Sequence, residues 1–151
     1  KRAVFPIYND GLIVDAIGRA LDGKQPKWLR YGGAAEYAKY CYGTPNGVYV
    51  VVEDVISAVT VATVFPDVTG FALLGTSLTD AHKECLSDSA SYVMVALDPD
   101  ALRKTLVMRK EIEAWCDIPT RAIRLRDDIK YQDAEDMDFI GRWIDVAEKS
   151  H

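Results

Sequence analysis

The chain has 151 residues, 49% of them hydrophobic, which is enough for one domain with a sizeable core. It contains no run of eighteen apolar residues and no leader-like segment, which argues against a membrane span or a secretion signal and favours a cytoplasmic protein. The formal net charge of -5 argues at first against nucleic acid as a partner. The charge is unevenly distributed, however, because residues 48–102 are strongly acidic and both flanking segments are basic. Such a pattern is typical of an acidic metal site whose anionic substrate is bound by the basic segments on either side. It is equally typical of ordinary solvated helix faces.

The N-terminal part predicts an antiparallel β module. Apolar residues on both sides of Asn9-Asp10-Gly11 indicate a hairpin, since these turn residues tolerate positive φ. A second turn precedes residues 26–31, where cations alternate with aromatic side chains. Such a segment can hold a phosphate and stack a base, but it can equally cover the edge of the sheet. Residues 34–42 are predicted to be a short helix or irregular, and residues 43–47 form a break.

From residue 48 onward, strands and helices alternate four times. The predicted strands cover residues 48–52, 71–74, 92–97 and 121–125. The predicted helices cover residues 54–64, 80–88 with Thr79 as N-cap, 101–115 and 135–149. This alternation predicts an α/β fold with a doubly wound, mostly parallel sheet and helices on both faces, preceded by the small antiparallel β module.

On the last two helices the apolar spacing predicts which side chains reach the core. The expected core residues of these helices are Leu102, Leu106, Ile112, Phe139, Trp143 and Val146. His82 and Cys85 on the second helix are interpreted as packing residues. The three cysteines, Cys41, Cys85 and Cys116, are widely spaced without a Cys-x-x-Cys motif, so we expect free thiols, buried or half-buried, and no zinc site.

Three carboxylates follow two of the predicted strands. Glu53 ends the first parallel strand, and Asp98 and Asp100 flank a proline at the end of the third. The carboxyl ends of parallel strands open into the ligand crevice, and hard carboxylate oxygens are suitable ligands for Mg²⁺. A metal held there favours phosphoryl or nucleotidyl transfer. The alternative is that Asp100, like Asp54, merely caps the helix that follows it.

The same segments resemble a known family. Residues 50–53 (VVVE), 74–79 (LGTSLT) and 97–101 (LDPDA) resemble the Toprim domain of bacterial replicative primases and phage primase-helicases. Residues 5–7, Gly11, 18–21 (GRAL) and 26–29 (PKWL) are similar to the segment that precedes Toprim in primases. Residues 133–136 (DAED) resemble the acidic motif after the fourth strand of phage primase-helicases, so the resemblance spans roughly residues 2–140.

The resemblance implies a nucleotidyltransferase: a DNA primase catalytic core that makes short RNA primers from ribonucleoside triphosphates on a single-stranded DNA template. It implies Glu53, Asp98 and Asp100 as catalytic residues that bind Mg²⁺, or Mn²⁺ in its place, with Asp133 as a further metal ligand. Nucleotide or template contacts are expected from Arg19, Lys27, Trp28 and Arg30. The implied modules are residues 1–46, a basic hairpin module, and residues 47–151, the Toprim domain.

The family relationship also implies partners and a setting. A replicative helicase, fused or separate, is the expected protein partner, and the cytoplasm of a bacterium or of a phage-infected host is the expected location. Two positions depart from the family pattern, because Asp54 and Ser57 stand where glycine and aspartate are usual. Arg30 likewise replaces a common asparagine. The alternatives are therefore a Toprim nuclease that hydrolyses phosphodiesters, and a non-catalytic Toprim module that binds nucleic acid or a protein partner.

Overall fold

A computed structural model of the protein describes residues 1–9, 11–32, 39–43, 46–75 and 77–149. The predictions made for Asp10, for residues 34–38, for residues 44–45 and for Thr76 lie outside these residues. Within the described ranges, none of the helices is both long and apolar enough to cross a bilayer.

The N-terminal residues form a three-stranded antiparallel sheet, as the hairpin signal predicts. Its strands are β1 (Arg2–Asn9), β2 (Leu12–Ala20) and β3 (Trp28–Arg30), in the order β1-β2-β3. Gly11 follows the turn with φ 79°, a conformation that glycine adopts without strain. The register shifts between Ile7 and Tyr8, so that β2 contains a bulge opposite this point.

The remaining strands form a five-stranded sheet in the order β4-β6-β5-β7-β8. These strands are β4 (Tyr40–Gly43), β5 (Val48–Val52), β6 (Thr69–Ala72), β7 (Tyr92–Val95) and β8 (Thr120–Ala122). The four strands β6, β5, β7 and β8 run parallel to one another, and the edge strand β4 runs antiparallel to β6. The predicted α/β fold with a mostly parallel sheet is confirmed.

The edge strand β4 corrects one expectation. Residues 40–42 were expected to be helical or irregular, but Tyr40 to Gly43 form a strand that pairs with β6. Pairing with β6 holds this short segment in the strand conformation. Its four residues show no alternation of buried and exposed positions, which is the pattern by which a strand is recognised. The larger sheet therefore begins before residue 46.

Four helices cover the two faces of the larger sheet. They are α1 (Val55–Val64), α2 (Asp80–Ser89), α3 (Leu102–Cys116) and α4 (Ala134–Lys149). α1 and α4 pack on the face that carries Val50 and Val52, and α2 and α3 pack on the face that carries Val51. This explains the continuous apolar sequence of β5, whose five residues are all buried. Helices on both faces are thus confirmed.

The caps of these helices follow from the sequence. Thr79 caps α2 as predicted: its Oγ1 accepts from the His82 N–H, while His82 Nδ1 accepts from the Thr79 N–H. The His82 ring is buried edge-on against Phe71, which confirms a packing role. Asp54 caps α1, with Oδ1 2.8 Å from the Ser57 nitrogen.

The inward faces of α3 and α4 differ from the prediction. Leu106, Phe139 and Val146 were expected in the core, but their side chains are 49%, 38% and 46% exposed. On α3 the buried positions are instead Thr105, Met108 and Ile112, and on α4 they are Asp136, Ile140, Ile144 and Ala147. Both helices carry apolar residues on more than one side. Contacts with the sheet therefore decide which side is buried, and the spacing of apolar residues along the helix does not predict those contacts.

A small apolar joint connects the two sheets. Ile7 of β1 and Ile17 of β2 pack against Val55, the first residue of α1, and all three are buried. Phe5, Trp28 and Tyr40 surround this joint, with the Phe5 ring 6.3 Å from Trp28 and 6.0 Å from Tyr40. The joint lies beside the end of β5, so the smaller sheet is placed next to Glu53.

Candidate active site

Two of the acids singled out by the sequence lie at the carboxyl ends of neighbouring parallel strands. β5 and β7 pair with Val51 opposite Val95, Glu53 follows β5 directly, and Asp98 lies three residues beyond β7. The backbone N–H of Asp98 donates a hydrogen bond to the Glu53 carboxylate. The structure therefore brings Glu53 and Asp98 together at one edge of the sheet.

The neighbouring end of β6 fixes the backbone of Glu53. The N–H of Leu74 donates to the Glu53 carbonyl oxygen over 3.0 Å. Leu74 has φ 58°, in the left-handed region that branched side chains rarely adopt. This turn ends β6 at Ala72 instead of at the predicted residue 74, and it places a strained residue beside the acids.

A cavity of about 350 Å³ lies beside these acids, with walls from both sheets. We call it the central cavity. The five-stranded sheet and its connections line it with Glu53, Asp54, Leu74, Asp98, Asp128 and Lys130, among others. The three-stranded sheet lines it with Ile17, Lys27 and Trp28. Acids thus face a lysine and an aromatic ring across a space large enough for a small ligand.

Asp100 does not line the central cavity. It lies in a short 3₁₀ turn, Pro99–Ala101, and its side chain is exposed. Its charge nevertheless reaches the site, because it raises the pKa of Glu53. Asp54 lines the cavity while one of its oxygens caps α1, and the Ser57 hydroxyl is buried with no hydrogen-bond partner in the described structure.

Asp128 and Lys130 line the central cavity, although the sequence did not single them out. Lys130 Nζ lies 3.3 Å from Asp128 Oδ2. Both residues follow β8, so they lie at the same edge of the sheet as Glu53 and Asp98. The rule that acids after parallel strands converge could have found Asp128, had it been applied to the fourth strand as well.

The loop that carries Asp128 is held by Asp136 of α4. The Asp136 carboxylate is buried and accepts from the backbone N–H of Arg126, at 2.9 and 3.0 Å, and from that of Asp127, at 3.2 Å. A buried carboxylate is stable there because backbone donors replace its lost hydration. Asp136 therefore positions the loop that follows β8.

The electrostatics of the central cavity are dominated by carboxylates. Burial raises the pKa of Glu53, and the negative charges of Asp98 and Asp100 raise it further. Burial also raises the pKa of Asp98, with added repulsion from Asp128 and Asp54. These carboxylates hold their protons more tightly than in water, so a cation in the cavity would be favoured.

The side chain of Lys130 places one positive charge among the acids of the central cavity. Burial by itself lowers the pKa of Lys130, but its hydrogen bond to Asp128 and the charges of Asp54 and Asp128 together raise that pKa above its ordinary value. Its ammonium is therefore firmly charged. It partly compensates the negative charge of the acids that line the central cavity.

The residues expected to contact nucleotide or template are divided between two places. Lys27 and Trp28 line the central cavity. Arg19 does not line it, but its guanidinium lies 5.2 Å from the centre of the Trp28 ring. Arg30 lies away from the cavity lining, and its Nε is 3.8 Å from Oδ2 of the buried Asp15.

Asp133, which the resemblance implies as a further metal ligand, caps α4. Its Oδ1 accepts from the backbone N–H of Glu135 at 3.1 Å and of Asp136 at 3.0 Å. Asp133 is not among the residues that line the central cavity. The structure thus gives this side chain a capping role and does not bring it together with Glu53 and Asp98.

The donor set of the cavity fits a hard divalent cation. In the described part of the chain, no group of three or more His, Cys, Asp or Glu is placed to enclose a metal. Mg²⁺, however, commonly uses one or two carboxylates and completes its shell with water and substrate phosphates. Glu53 and Asp98, with their raised pKa values and oxygen donors, meet that lesser requirement.

Fold and site together define a Toprim-like α/β domain with acids at its strand ends, and comparison with solved structures agrees. The chain is similar to the zinc-binding and RNA polymerase domains of the Aquifex aeolicus primase, with TM-score 0.72 and 20% identity over 96% of this chain. It is similar to a DnaG primase catalytic domain bound to single-stranded DNA, with TM-score 0.65 and 20% identity over 95% of this chain. The RNA polymerase domain of Mycobacterium tuberculosis primase DnaG gives TM-score 0.67 and 16% identity over 94%.

These comparisons establish the fold: the chain has the fold of the DnaG primase catalytic core, and the resemblance seen in the sequence is confirmed at that level. The chain spans 40%, 51% and 55% of the three solved chains, respectively. No protein-family model matches the sequence, and no curated protein matches it significantly.

Proposed function

We propose that this chain is the catalytic core of a DNA primase, a nucleotidyltransferase that joins ribonucleoside triphosphates into short RNA primers on a single-stranded DNA template. The observation that carries the proposal is the central cavity itself. Glu53, whose carboxylate accepts from the Asp98 backbone N–H, and Asp98 lie at neighbouring strand ends and line the cavity with Lys27 and Trp28, in a fold shared with DnaG catalytic cores. That arrangement combines a cation site with groups that bind phosphate and base.

Glu53 and Asp98 are the residues that would hold Mg²⁺, or Mn²⁺ in its place, with Asp128 and Asp100 adding negative charge nearby. When bound, the ion would neutralise charge that develops on the transferred phosphoryl group. The remaining work belongs to side chains of this chain. The hydrogen bond from the Asp98 N–H keeps the Glu53 carboxylate oriented towards its neighbour.

Lys27 and Lys130 would bind the phosphates of the incoming nucleotide. Among the residues the structure describes, they are the two cations that line the central cavity, one just before β3 and one in the connection after β8. Lys130 is already held by Asp128, so little side-chain freedom is lost when it meets a phosphate. A triphosphate between the two ammonium groups would be fixed at both ends, which favours the orientation needed for in-line attack.

Trp28 would support a base. Its ring contacts Phe5 and the Arg19 guanidinium, so its orientation is set before a nucleotide arrives. Stacking of a base on an aromatic ring contributes about 1–3 kcal/mol and does not depend on base identity. Arg19 extends positive charge along β2, where a template backbone could lie, whereas Arg30 is engaged by Asp15.

We further propose two functional modules, residues 1–46 for guiding the template and residues 47–151 for the chemistry, with strand β4 of the first module extending the sheet of the second. The joint of Ile7, Ile17 and Val55 supports this division, because it packs one module against the other beside Glu53. A replicative helicase, fused or separate, is the proposed protein partner.

The proposal is tested by primer synthesis and metal binding in parallel. The full-length polypeptide is incubated with a single-stranded DNA template, labelled ribonucleoside triphosphates and Mg²⁺ or Mn²⁺, and Mg²⁺ binding is followed by calorimetry. We expect oligoribonucleotides, and we expect Asp98→Asn to reduce their synthesis by at least about 100-fold. Asp138→Asn is the matched control, since this aspartate is 71% exposed on α4 and away from the cavity.

Two other outcomes would replace the proposal. Degradation of the template without oligomer synthesis would indicate a Toprim nuclease. Absence of metal binding, or binding that Asp98→Asn leaves unchanged, would indicate a non-catalytic module that binds nucleic acid or a partner. The capping role of Asp54 and the burial of Ser57 favour this last alternative, because one Asp54 oxygen already accepts from the Ser57 N–H and a buried serine supplies no carboxylate for a second metal position.

A further inference from the structure

Two of the three cysteines are neighbours in the fold, although 44 positions separate them in the sequence. Cys41 lies on the edge strand β4, where it is exposed and pairs with Phe71 of β6. Cys85 lies on α2 and is half-buried, packed against the apolar cluster that contains Phe71. The side chains of Cys41 and Cys85 form a hydrogen bond. The two thiols thus meet over Phe71, between the sheet edge and the helix.

A second cavity opens at Cys85. Its volume is about 500 Å³, and its lining includes Lys39, Glu84, Asp88 and Tyr8. Charges of both signs surround a half-buried sulfur there, so a small zwitterionic peptide can reach it. This cavity is distinct from the central cavity, and it shares no lining residue with it.

The two sulfurs differ in reactivity. The hydrogen bond with Cys41 lowers the pKa of Cys85 to about 7, and the positive charge of Lys39 acts in the same direction while burial opposes it. The same hydrogen bond raises the pKa of Cys41. Because the thiolate is the attacking species, Cys85 is the nucleophile of the pair and Cys41 is the thiol that resolves.

We propose that Cys41 and Cys85 form a reactive dithiol site that small disulfides, such as oxidised glutathione, convert into an intramolecular disulfide between β4 and α2. Disulfides formed in a reducing cytoplasm are commonly transient, and a pair held together by the fold is suited to such reversible chemistry. The proposal does not depend on primase activity.

The reaction balances in two exchanges. The Cys85 thiolate attacks one sulfur of oxidised glutathione, forms a mixed disulfide and releases one glutathione thiolate. Cys41 then gives its proton to solvent and attacks the Cys85 sulfur, which releases the second glutathione thiolate. The two cysteines lose two protons and two electrons in total, and the small disulfide takes up the electrons as it becomes two thiols.

The test exposes the folded full chain to oxidised glutathione at neutral pH and maps its cysteines by mass spectrometry without reduction. We expect a Cys41–Cys85 peptide, loss of two hydrogen atoms from the intact mass, and a fall from three free thiols to one. Cys116 is the internal control, because it is half-buried and its Sγ lies 3.5 Å from the Lys83 carbonyl oxygen. Iodoacetamide should accordingly label Cys85 before Cys116.

Single variants separate the two roles. Cys41→Ser should stop the reaction at a mixed disulfide with glutathione on Cys85, Cys85→Ser should leave Cys41 unmodified, and Cys116→Ser should change nothing. A stable glutathione adduct on Cys85 of the unsubstituted chain, modification confined to Cys116, or no modification at all would each overturn the proposal. Circular dichroism before and after oxidation verifies that the reaction occurred in the folded chain.

Discussion

Replacing Asp136 by alanine should loosen the loop that carries Asp128 and Lys130 without touching the central cavity. The Asp136 carboxylate is the acceptor for the backbone N–H groups of Arg126 and Asp127. Alanine removes that acceptor and leaves a space too small and apolar for full rehydration, since Asp136 is only 5% exposed. The two N–H groups then lack their partner, and the loop after β8 loses its attachment to α4.

The size of the effect follows from the contacts. A buried donor left without its partner costs about 1–3 kcal/mol, and the lost negative charge in the first turn of α4 adds about 0.5 kcal/mol. With partial hydration of the loop, we expect Asp136→Ala to lower the free energy of unfolding by about 3 kcal/mol. For a chain of this length, that corresponds to a fall in Tm of about 6–12 °C. Asp136→Asn, which keeps one acceptor oxygen, should cost about half as much.

Urea denaturation and thermal melting measure the stability, and calorimetry with Mg²⁺ and a ribonucleoside triphosphate measures the site. The control is Asp138→Ala on the same helix, whose exposed ion pair with Arg142 contributes no more than about 0.5 kcal/mol. We expect the Asp136 variant to bind nucleotide about 10–100-fold more weakly, because its loop no longer holds Lys130 in place. Equal stability of the Asp136→Ala and Asp138→Ala variants would refute this account of the loop.

Two further predictions concern acids of the candidate site. Because the folded-state pKa of Glu53 is raised, its ionisation destabilises the fold: this single contribution is absent below about pH 4 and grows as the pH rises through the raised pKa. Without metal, Glu53→Gln should therefore melt at a higher temperature than the parent near pH 7, with the two curves merging in acid, and a lower Tm of the variant at pH 7 would contradict the assigned repulsion. Asp133→Asn should keep the α4 cap and bind Mg²⁺ like the parent, whereas Asp133→Ala should lower the free energy of unfolding by about 1 kcal/mol. If a stable Asp133→Asn protein bound Mg²⁺ more weakly than the parent, Asp133 would be a metal ligand.

The strand ends were predictable because the strands themselves are buried on both faces. β5 is an unbroken apolar run, so Glu53 is the first residue that can leave the core, and the same logic places Asp98 after β7. The helical faces were less predictable. α4 carries Phe139 and Val146 beside Ile140 and Ala147, and only the shape of the sheet beneath decides which stripe is buried.

The acids of the C-terminal part show where local sequence stops being informative. Asp128, Asp133 and Asp136 are chemically identical in the sequence, yet one lines the cavity, one caps a helix and one is buried as an acceptor for backbone N–H groups. Their roles are set by the path of a loop with no apolar periodicity. Only tertiary contacts between α4 and the loop after β8 distinguish them.

The joint between the two sheets changes how mutations in this chain should be interpreted. Ile7 is buried and does not line the central cavity, yet with Ile17 and Val55 it packs the wall that carries Lys27 against the wall that carries Glu53. Replacing Ile7 by valine would remove one methylene group from this joint and slightly change how the two walls pack, while both sheets stay folded. In a random mutagenesis screen, such variants would resemble substrate-specificity mutants, although the altered residue lies in the hydrophobic interior.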